Sequence, residues 1–467
     1  MEKKKTGGKR VPPQAPKGMR DIIGKDYYDY QGFYEKSAEI AEYYDFKPIE
    51  TPVLEDTSLF TSGIGTDTDI VEKEMFSLKT KGGDQLTLRP EGTAGVVRAY
   101  IEHGMQSWPQ PVMLYYYGPF FRHEKPQRGR FRELRQFGLE ILGTEKSIAD
   151  AIIIKAAVTM FEEAGLKNLS VQINSIGDKS CRGSYRRDLL NYYKKHTSEI
   201  CKDCKLRIKT NPLRLLDCKD PKCQPVKEKA PQSVSFLCDP CKIHFKEVLE
   251  YLEFLGIEYT INNNLVRGLD YYTRTVFEVI SKVENTKQNT EKPLEEKTEE
   301  CVEEEVDTAT MKLGLEDDSR EFTSLALGGG GRYDYLAKAL GNKKDVPAVG
   351  FGIGVDRVIM AKGFDPVMPR IIKKPKFFFI QLGFSAKLKS LSIIEILRKA
   401  KVGVMHSLSK DSLSSQLATA EKLQIPYAIL LGQKEVMDGT VIVRNMDDRS
   451  QEEIKLDKLT EYIKKLK

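Results

Sequence analysis

The sequence lacks any long apolar run. Its 467 residues are 40% hydrophobic, yet no stretch approaches the roughly 20 consecutive apolar residues that cross a membrane. The basic N-terminus, MEKKKTGGKRVPPQ, is not followed by the apolar segment of a signal peptide. These absences predict a cytoplasmic protein with no membrane partner.

The sequence also lacks a strong charge of either sign and has few histidines. Lys and Arg total 74 against 68 Asp and Glu, which gives a net charge of +6. An excess this small permits a nucleic-acid partner without requiring one. None of the five histidines is assigned to catalysis, because a single histidine is more often a surface or hydrogen-bonded residue than a ligand.

Composition and periodicity divide the first part of the chain. Residues 1–16 are rich in Lys, Gly and Pro and predict a flexible leader. Apolar residues at helical spacing predict a helix from Tyr27 to Tyr44, which passes into a strand from Ile49 to Leu54. Short β-rich runs follow at irregular spacing. They predict a mixed, largely antiparallel sheet with helices around it and exclude a repeat architecture.

Two changes of composition mark the second part. Residues 281–320 are dominated by Glu, Lys, Thr and Asn and predict a disordered acidic insertion between two strands. A linker with Pro and Lys, residues 363–374, precedes residues 375–467, where strand-like and helical patterns alternate. The last hundred residues therefore predict a separate α/β domain.

The segment from Tyr115 to Glu140 carries five arginines between strand-like ends. A guanidinium stays charged and grips phosphate oxygens with two parallel hydrogen bonds. The segment thus predicts a polyphosphate site, the alternative being a solvated basic hairpin. The glycines from Gly328 to Gly331 do not form a P-loop, because no Lys-Ser or Lys-Thr follows them. They predict a strand that a ligand can approach closely.

Several segments resemble the signature motifs of class II aminoacyl-tRNA synthetases. The stretch from Ala41 to Glu55 is similar to the first motif, Phe121–Glu124 (FRHE) to the second, and Gly350–Arg357 (GFGIGVDR) to the third. Boxes typical of the histidyl-tRNA synthetases are also present: LRPEGT at 88–93, LVRGLDYY at 265–272 and LGGGGRYD at 327–334. The resemblance extends over nearly the whole chain.

This resemblance implies a fold and a function. The fold is an α+β catalytic core on a mostly antiparallel sheet, residues 17–362, with an inserted domain near 175–255, followed by an α/β anticodon-binding domain, 375–467. The function is that of a histidine–tRNA ligase, which activates L-histidine with ATP to histidyl-adenylate and pyrophosphate and then transfers histidine to the 3′ end of tRNA(His). Mg²⁺ is implied as a cofactor, and a homodimer with the first motif at its interface is implied as the assembly.

The resemblance also implies residue roles. Arg122, Arg267 and Arg357 are the implied catalytic residues, since attack of a carboxylate on the α-phosphorus of ATP needs its growing charge stabilised. The implied ATP-binding residues are Arg122, Glu124, Arg130 and Arg357. The implied histidine-binding residues are Glu91, Gly92, Thr93, Arg122, Gln136, Glu140, Arg267, Tyr271 and Tyr272. No metal ligand is assigned in this site. Leu134 departs from the family's aromatic residue over the adenine and lacks its stacking contribution.

Six of the cysteines between the second motif and the histidine box form Cys201-x-x-Cys204, Cys218-x4-Cys223 and Cys238-x-x-Cys241. The two Cys-x-x-Cys pairs together are compatible with a structural zinc site, although about thirty residues separate them. The alternative is a set of free thiols in a helical insertion, as a reducing compartment would permit.

Two rival functions remain open at this point. One is a histidine-sensing regulatory paralogue, against which the intact ATP motifs and the C-terminal domain argue. The other is a zinc-stabilised RNA-binding adaptor that uses the basic leader and loop without catalysis. Pyrophosphate exchange driven by histidine and ATP separates the three functions, since only the enzyme should catalyse it.

Overall fold

The computed structural model describes residues 13–65, 68–127, 129–282, 324–370, 375–407 and 411–466. The chain divides into two compact units, Met1–Pro369 and Arg370–Lys467. Most of the predicted leader, the predicted acidic insertion from residue 283 onward and part of the predicted linker lie outside the described residues.

The first unit is built on a large mixed sheet. Its strands are β1 (Lys47–Pro48), β2 (Leu54–Asp56), β3 (Phe76–Lys79), β4 (Gln85–Leu88), β5 (Val112–Phe121), β6 (Glu133–Leu142), β7 (Leu169–Ser175), β8 (Tyr259–Ile261), β9 (Thr273–Lys282), β10 (Ser324–Arg332) and β11 (Ala348–Gly354). The large sheet has the order β1-β5-β6-β11-β10-β9-β7-β8, and a small sheet has the order β2-β4-β3. Among the described strands of this unit, only the edge pairs β1–β5 and β7–β8 are parallel.

Helices cover the large sheet. Those of the first unit are α1 (Gly24–Tyr43), α2 (Thr57–Ile64), α3 (Thr93–Glu102), α4 (Ser147–Glu163), α5 (Lys179–Lys195), α6 (Lys202–Thr210), α7 (Gln224–Glu228), α8 (Asp239–Phe254), α9 (Leu336–Ala339) and α10 (Val355–Ile359). The buried Phe33 and Ile40 of α1 and Phe161 of α4 share one core with Phe351 of β11. The spacing of Phe33 and Ile40 places both on one stripe of α1, as the sequence predicts.

The strand predicted from Ile49 to Leu54 is wrong. Only Lys47–Pro48 and Leu54–Asp56 are strands, and they belong to different sheets. Pro48 and Pro52 have no backbone N–H to donate to a ladder. The intervening chain therefore crosses from one sheet to the other.

The second unit has its own sheet and core. Its strands are β12 (Phe377–Gln381), β13 (Val404–His406), β14 (Tyr427–Leu431), β15 (Thr440–Asn445) and β16 (Gln451–Lys455), in the order β13-β12-β14-β15-β16. Its helices are α11 (Phe384–Lys399), α12 (Leu413–Lys422), α13 (Gln433–Asp438) and α14 (Leu459–Lys465). The pairs β13–β12 and β12–β14 are parallel, and the pairs β14–β15 and β15–β16 are antiparallel. Among the described residues, no helix combines the length and apolarity that a membrane crossing requires.

Candidate active site

A cleft of about 920 Å³, partly open to solvent, lies over the middle of the large sheet. Strands β10 and β11 form its floor, and the segment that follows β5 and the segment that precedes β9 form its walls. Ten of the predicted site residues line it, namely Glu91, Thr93, Arg122, Glu124, Arg130, Gln136, Arg267, Tyr271, Tyr272 and Arg357. Segments almost 270 residues apart in sequence are thus brought to one place.

Part of the cleft lining is cationic, because it contains several arginine side chains. Arg122 donates through Nε to the Pro90 carbonyl at 2.8 Å, and Arg357 donates to the Ala326 carbonyl at 2.9 Å. Burial, and then the nearby Arg130, lower the pKa of Arg357. Cations that are packed this closely and are only partly neutralised favour an anionic ligand.

Two carboxylates partner these cations. Glu124 contacts Arg130 at 3.4 Å and Arg122 at 3.9 Å, and Glu278 of β9 pairs with Arg267. Glu278 was missed by the sequence prediction, although a lone carboxylate between the apolar Phe277 and Val279 was the available signal. The Arg267 Nε is buried and has no hydrogen-bond partner among the described residues. This part of its guanidinium is therefore available to a ligand.

Asp356, the motif residue before Arg357, also belongs to the cleft lining and holds Arg357 in position. Asp356 accepts the backbone N–H of Arg135 at 2.7 Å, the Tyr30 hydroxyl at 2.6 Å and Arg20 at 3.1 Å. These bonds tie α10 to β6 and α1. Since Arg357 is the next residue, its backbone position is fixed by the buried carboxylate beside it.

The lining also contains carboxyl, hydroxyl and amide groups. Glu91 accepts the backbone N–H groups of Thr93 at 2.7 Å and Ala94 at 2.8 Å, at the start of α3. It also accepts the Tyr271 hydroxyl at 3.3 Å. Gln136 is held on β6, and its Oε1 is buried without a partner in the described part of the chain. An unpaired acceptor facing a cleft is suited to a ligand's N–H group.

Gly92 and Glu140 do not belong to the lining, although the resemblance implies that they bind histidine. Gly92 precedes α3, where a Cβ would overlap the ring of Tyr116. Glu140 is fully buried and accepts the hydroxyls of Thr93, at 2.7 Å, and Tyr333. Burial raises the pKa of Glu140 to about 8. It therefore lies one layer below the cleft surface.

The structure adds Tyr116 and Tyr333 to the predicted residues. Tyr333 belongs to the LGGGGRYD segment but was given no role, and Tyr116 is a β5 residue that lines the cleft. Tyr333 follows Arg332, whose guanidinium is fully buried with Asp150 at 2.7 Å and Asp334 at 3.1 Å. This ion-pair cluster fixes the backbone on which Tyr333 stands.

The cysteines are not arranged as the sequence predicts. Cys201 and Cys204 lie with Cys218 and Cys223, whereas Cys238 and Cys241 lie with Cys181 and Asp178. The two Cys-x-x-Cys pairs therefore belong to different clusters. The prediction joined them because it compared spacings only and omitted Cys181, which stands alone in sequence.

Comparison with known proteins identifies the family. A model of histidyl-tRNA synthetase matches residues 18–177, and a model of an anticodon-binding domain matches residues 377–466. The histidine–tRNA ligase of Dehalococcoides mccartyi is 38% identical over 452 residues, which are 97% of this chain and 99% of the relative. The chain belongs to the histidyl-tRNA synthetase family. The predicted fold class and enzyme class are thereby confirmed.

Further relatives agree. The histidine–tRNA ligase of Halothermothrix orenii is 37% identical over 97% of this chain and 99% of its own length. The crystal structure of apo histidyl-tRNA synthetase from S. aureus has a TM-score of 0.73 at 30% identity and covers 97% of this chain and 100% of that chain. This synthetase is accordingly a ligase that uses ATP and joins histidine to tRNA.

Proposed function

We propose that the cleft binds ATP and histidine side by side, forms histidyl-adenylate and passes histidine to the 3′ end of tRNA(His). One observation carries this proposal: Arg122, Arg267 and Arg357 line the same cleft as Glu91, Thr93 and Gln136. The guanidinium groups suit a triphosphate, and the carboxyl, hydroxyl and amide groups suit an amino acid with an ammonium group.

The arginines take separate parts in this proposal. Arg122 and Arg267 hold the α-phosphate and the histidine carboxylate, which places the attacking oxygen near phosphorus. Arg357 and Arg130 hold the outer phosphates. Charge that develops on the phosphate oxygens meets guanidinium groups already in position, so no protein nucleophile is needed.

Glu124 and Glu278 supply hard oxygen donors in the same cleft. Such donors suit the Mg²⁺ that we propose accompanies ATP and offsets the phosphate charge. Leu134, also in the lining, covers the adenine by apolar contact.

Histidine is selected by the carboxyl, hydroxyl and amide groups of the cleft. The Gln136 Oε1 and Glu91 accept from the ammonium group, and Tyr271 and Tyr272 flank the ligand. Thr93 and Tyr333 already donate to the two oxygens of Glu140, so an imidazole N–H that reaches this carboxyl must use a remaining lone pair. A pocket of buried polar groups rejects analogues that leave those groups unpaired.

We also propose a cytoplasmic homodimer, with Ala41–Glu55 at its interface and residues 375–467 binding the anticodon. The apolar side chains of Val53, Leu54 and Leu78 are exposed on and beside the small sheet, which supports an interface there. Light scattering coupled to size exclusion tests the dimer, and a monomer mass at micromolar concentration would contradict it.

Pyrophosphate exchange that depends on both histidine and ATP tests the activity. Arg267→Ala should lower the exchange rate constant about 100-fold or more while changing the KM for histidine much less, because Arg267 mainly stabilises charge that develops during reaction. Arg187→Ala is the control, because Arg187 is an exposed residue of α5. No exchange by the parent chain would favour the adaptor function, and equal rates for Arg267→Ala and the parent would refute the role of Arg267.

A further inference from the structure

All seven cysteines in the described part of the chain belong to two compact clusters. The first, the four-cysteine cluster, contains Cys201, Cys204, Cys218 and Cys223. The second, the three-cysteine cluster, contains Cys181, Cys238, Cys241 and Asp178. In each cluster every ligand atom lies within 4.8 Å of the others, and the cysteines are free thiols. Each cluster thus offers four ligand atoms.

The sulfur separations fit a tetrahedral metal ion. Zn–S bonds of about 2.3 Å at tetrahedral angles place the sulfurs about 3.8 Å apart. The Sγ atoms of Cys201 and Cys218 are 3.9 Å apart, and those of Cys181 and Cys241 are 3.8 Å apart. Both distances are far longer than a disulfide bond of about 2.05 Å.

The surroundings stabilise thiolates. Cys201 and Cys238 are the N-cap residues of α6 and α8, where the helix dipole favours negative charge. Backbone N–H groups also point at sulfur: that of Cys201 at Cys223 Sγ, 3.2 Å, and that of Asp178 at Cys181 Sγ, 3.2 Å. Neutral thiols gain little from this arrangement, whereas metal-bound thiolates at Cys181 and Cys223 would each gain a hydrogen bond.

Asp178 is a suitable fourth ligand for the three-cysteine cluster. Its Oδ1 lies 3.4 Å from Cys181 Sγ and 3.9 Å from Cys238 Sγ. Its Oδ2 lies 3.7 Å from Arg274, which precedes the cleft-facing part of β9. The Ser180 backbone N–H also donates to Oδ1, at 2.9 Å. Arg274 and Ser180 together orient the carboxylate, and Oδ1 keeps a second lone pair for a metal.

We propose that the synthetase binds two structural zinc ions per chain, one in each cluster. Soft thiolate ligands in a tetrahedral set select zinc, and four protein ligands leave no open position for catalysis. The proposal is independent of the proposed cleft chemistry.

The ions would fix the insertion against the substrate cleft. Within the loop closed by the four-cysteine cluster, Asn211 donates to Asp270 at 2.7 Å and Arg214 pairs with Asp69. Asp270 adjoins Tyr271, which lines the cleft. The cross-links replace part of the apolar core that a short segment of this kind cannot build.

Metal analysis of the full-length protein, purified in reducing buffer without chelator, should find two zinc ions per chain. Cys218→Ser and Cys241→Ser should each keep one ion, and the retained ion reports that the rest of the insertion is folded. Cys301→Ser is the matched control and should keep two, since Cys301 lies outside the described residues and is assigned to neither cluster. Removal of zinc by a chelator should lower the melting temperature.

A second type of variant separates ligand loss from misfolding. Cys238→His keeps a zinc-binding side chain and should retain two ions. Substoichiometric zinc in the parent, stoichiometric iron instead of zinc, or loss of an ion from Cys301→Ser would overturn the proposal. So would loss of both ions from each single serine variant with the histidine variant equally empty.

Discussion

Replacement of Glu140 by glutamine tests how a buried carboxyl beneath the cleft affects the stability of the protein. Glu140 is fully buried, and burial raises its pKa from 4.5 to about 8. Its two hydrogen-bond partners, Thr93 and Tyr333, are hydroxyls. A glutamine of the same shape can use both, because a hydroxyl either donates or accepts.

The raised pKa fixes the sign of the pH dependence. Between pH 4.5 and 8 the folded state keeps a proton on Glu140 that the unfolded chain has released. The free energy of unfolding therefore falls as the pH rises through this window. With these two pKa values, the contribution of Glu140 decreases by about 3 kcal/mol between roughly pH 5.5 and pH 8.

The assay is urea unfolding of parent and Glu140→Gln at these two pH values, followed by the fluorescence of Trp108. Trp108 is the single tryptophan and lies in the first unit, so it reports that unit. The free energy of unfolding of the variant, relative to that of the parent, should rise by about 3 kcal/mol between the lower and the higher pH. The exposed Glu145 provides the control Glu145→Gln, which should gain nothing. An equal parent-to-variant difference at both pH values would refute the reasoning.

Three further predictions follow from the same structure. Asp150→Ala should destabilise the first unit by about 3–5 kcal/mol in urea unfolding, because it strips a partner from the fully buried Arg332; a change as small as that of an exposed aspartate would contradict it. Leu134→Phe should lower the KM for ATP in pyrophosphate exchange by roughly 2- to 10-fold, the value of an aromatic stack, with the KM for histidine as the internal control. Deletion of residues 284–306 should leave the exchange rate nearly unchanged, since the sequence predicts a solvated insertion there and its length adds little loop-closure cost; a large loss would show that the segment contacts the rest of the protein.

Local patterns predicted elements well where one residue property dominated. A strand was predicted from Val112 to Phe121, and β5 has those bounds. The prediction failed between Ile49 and Leu54, where β-branched residues suggested a strand but Pro52, and Pro48 just before this range, lack the donor that a ladder needs. Propensity was outweighed there by hydrogen-bond capacity.

The site was harder to predict than the fold because it depends on how deeply each side chain is buried. Family motifs brought the arginines to one cleft, but no motif tells whether Glu140 reaches the surface or lies beneath Thr93 and Tyr333. The partner of Arg267, Glu278, stands on a strand outside every motif. The three-cysteine cluster likewise joins Cys181 of α5 to Cys238 and Cys241 at the start of α8, a proximity that sequence spacing does not encode.

Glycines explain how a packed sheet can carry so much polar chemistry. Along β10 and β11 the prediction was a strand that a ligand approaches, yet the space above several glycines is already filled by side chains of the protein. A Cβ at each of these glycines would overlap a neighbouring side chain: Gly329 with Arg267, Gly350 with Glu140, Gly352 with Gln136 and, on β6, Gly138 with Tyr116.

The missing side chains therefore create the volume in which an arginine, a carboxyl, an amide and a phenol lie flat on the sheet. Arg267 shows the consequence most directly. In Gly329→Ala the added Cβ would overlap its guanidinium, which would have to shift away from its present position beside Glu278. A single methyl group at the floor of the cleft, without any change in charge, would then displace a group on which the proposed chemistry depends.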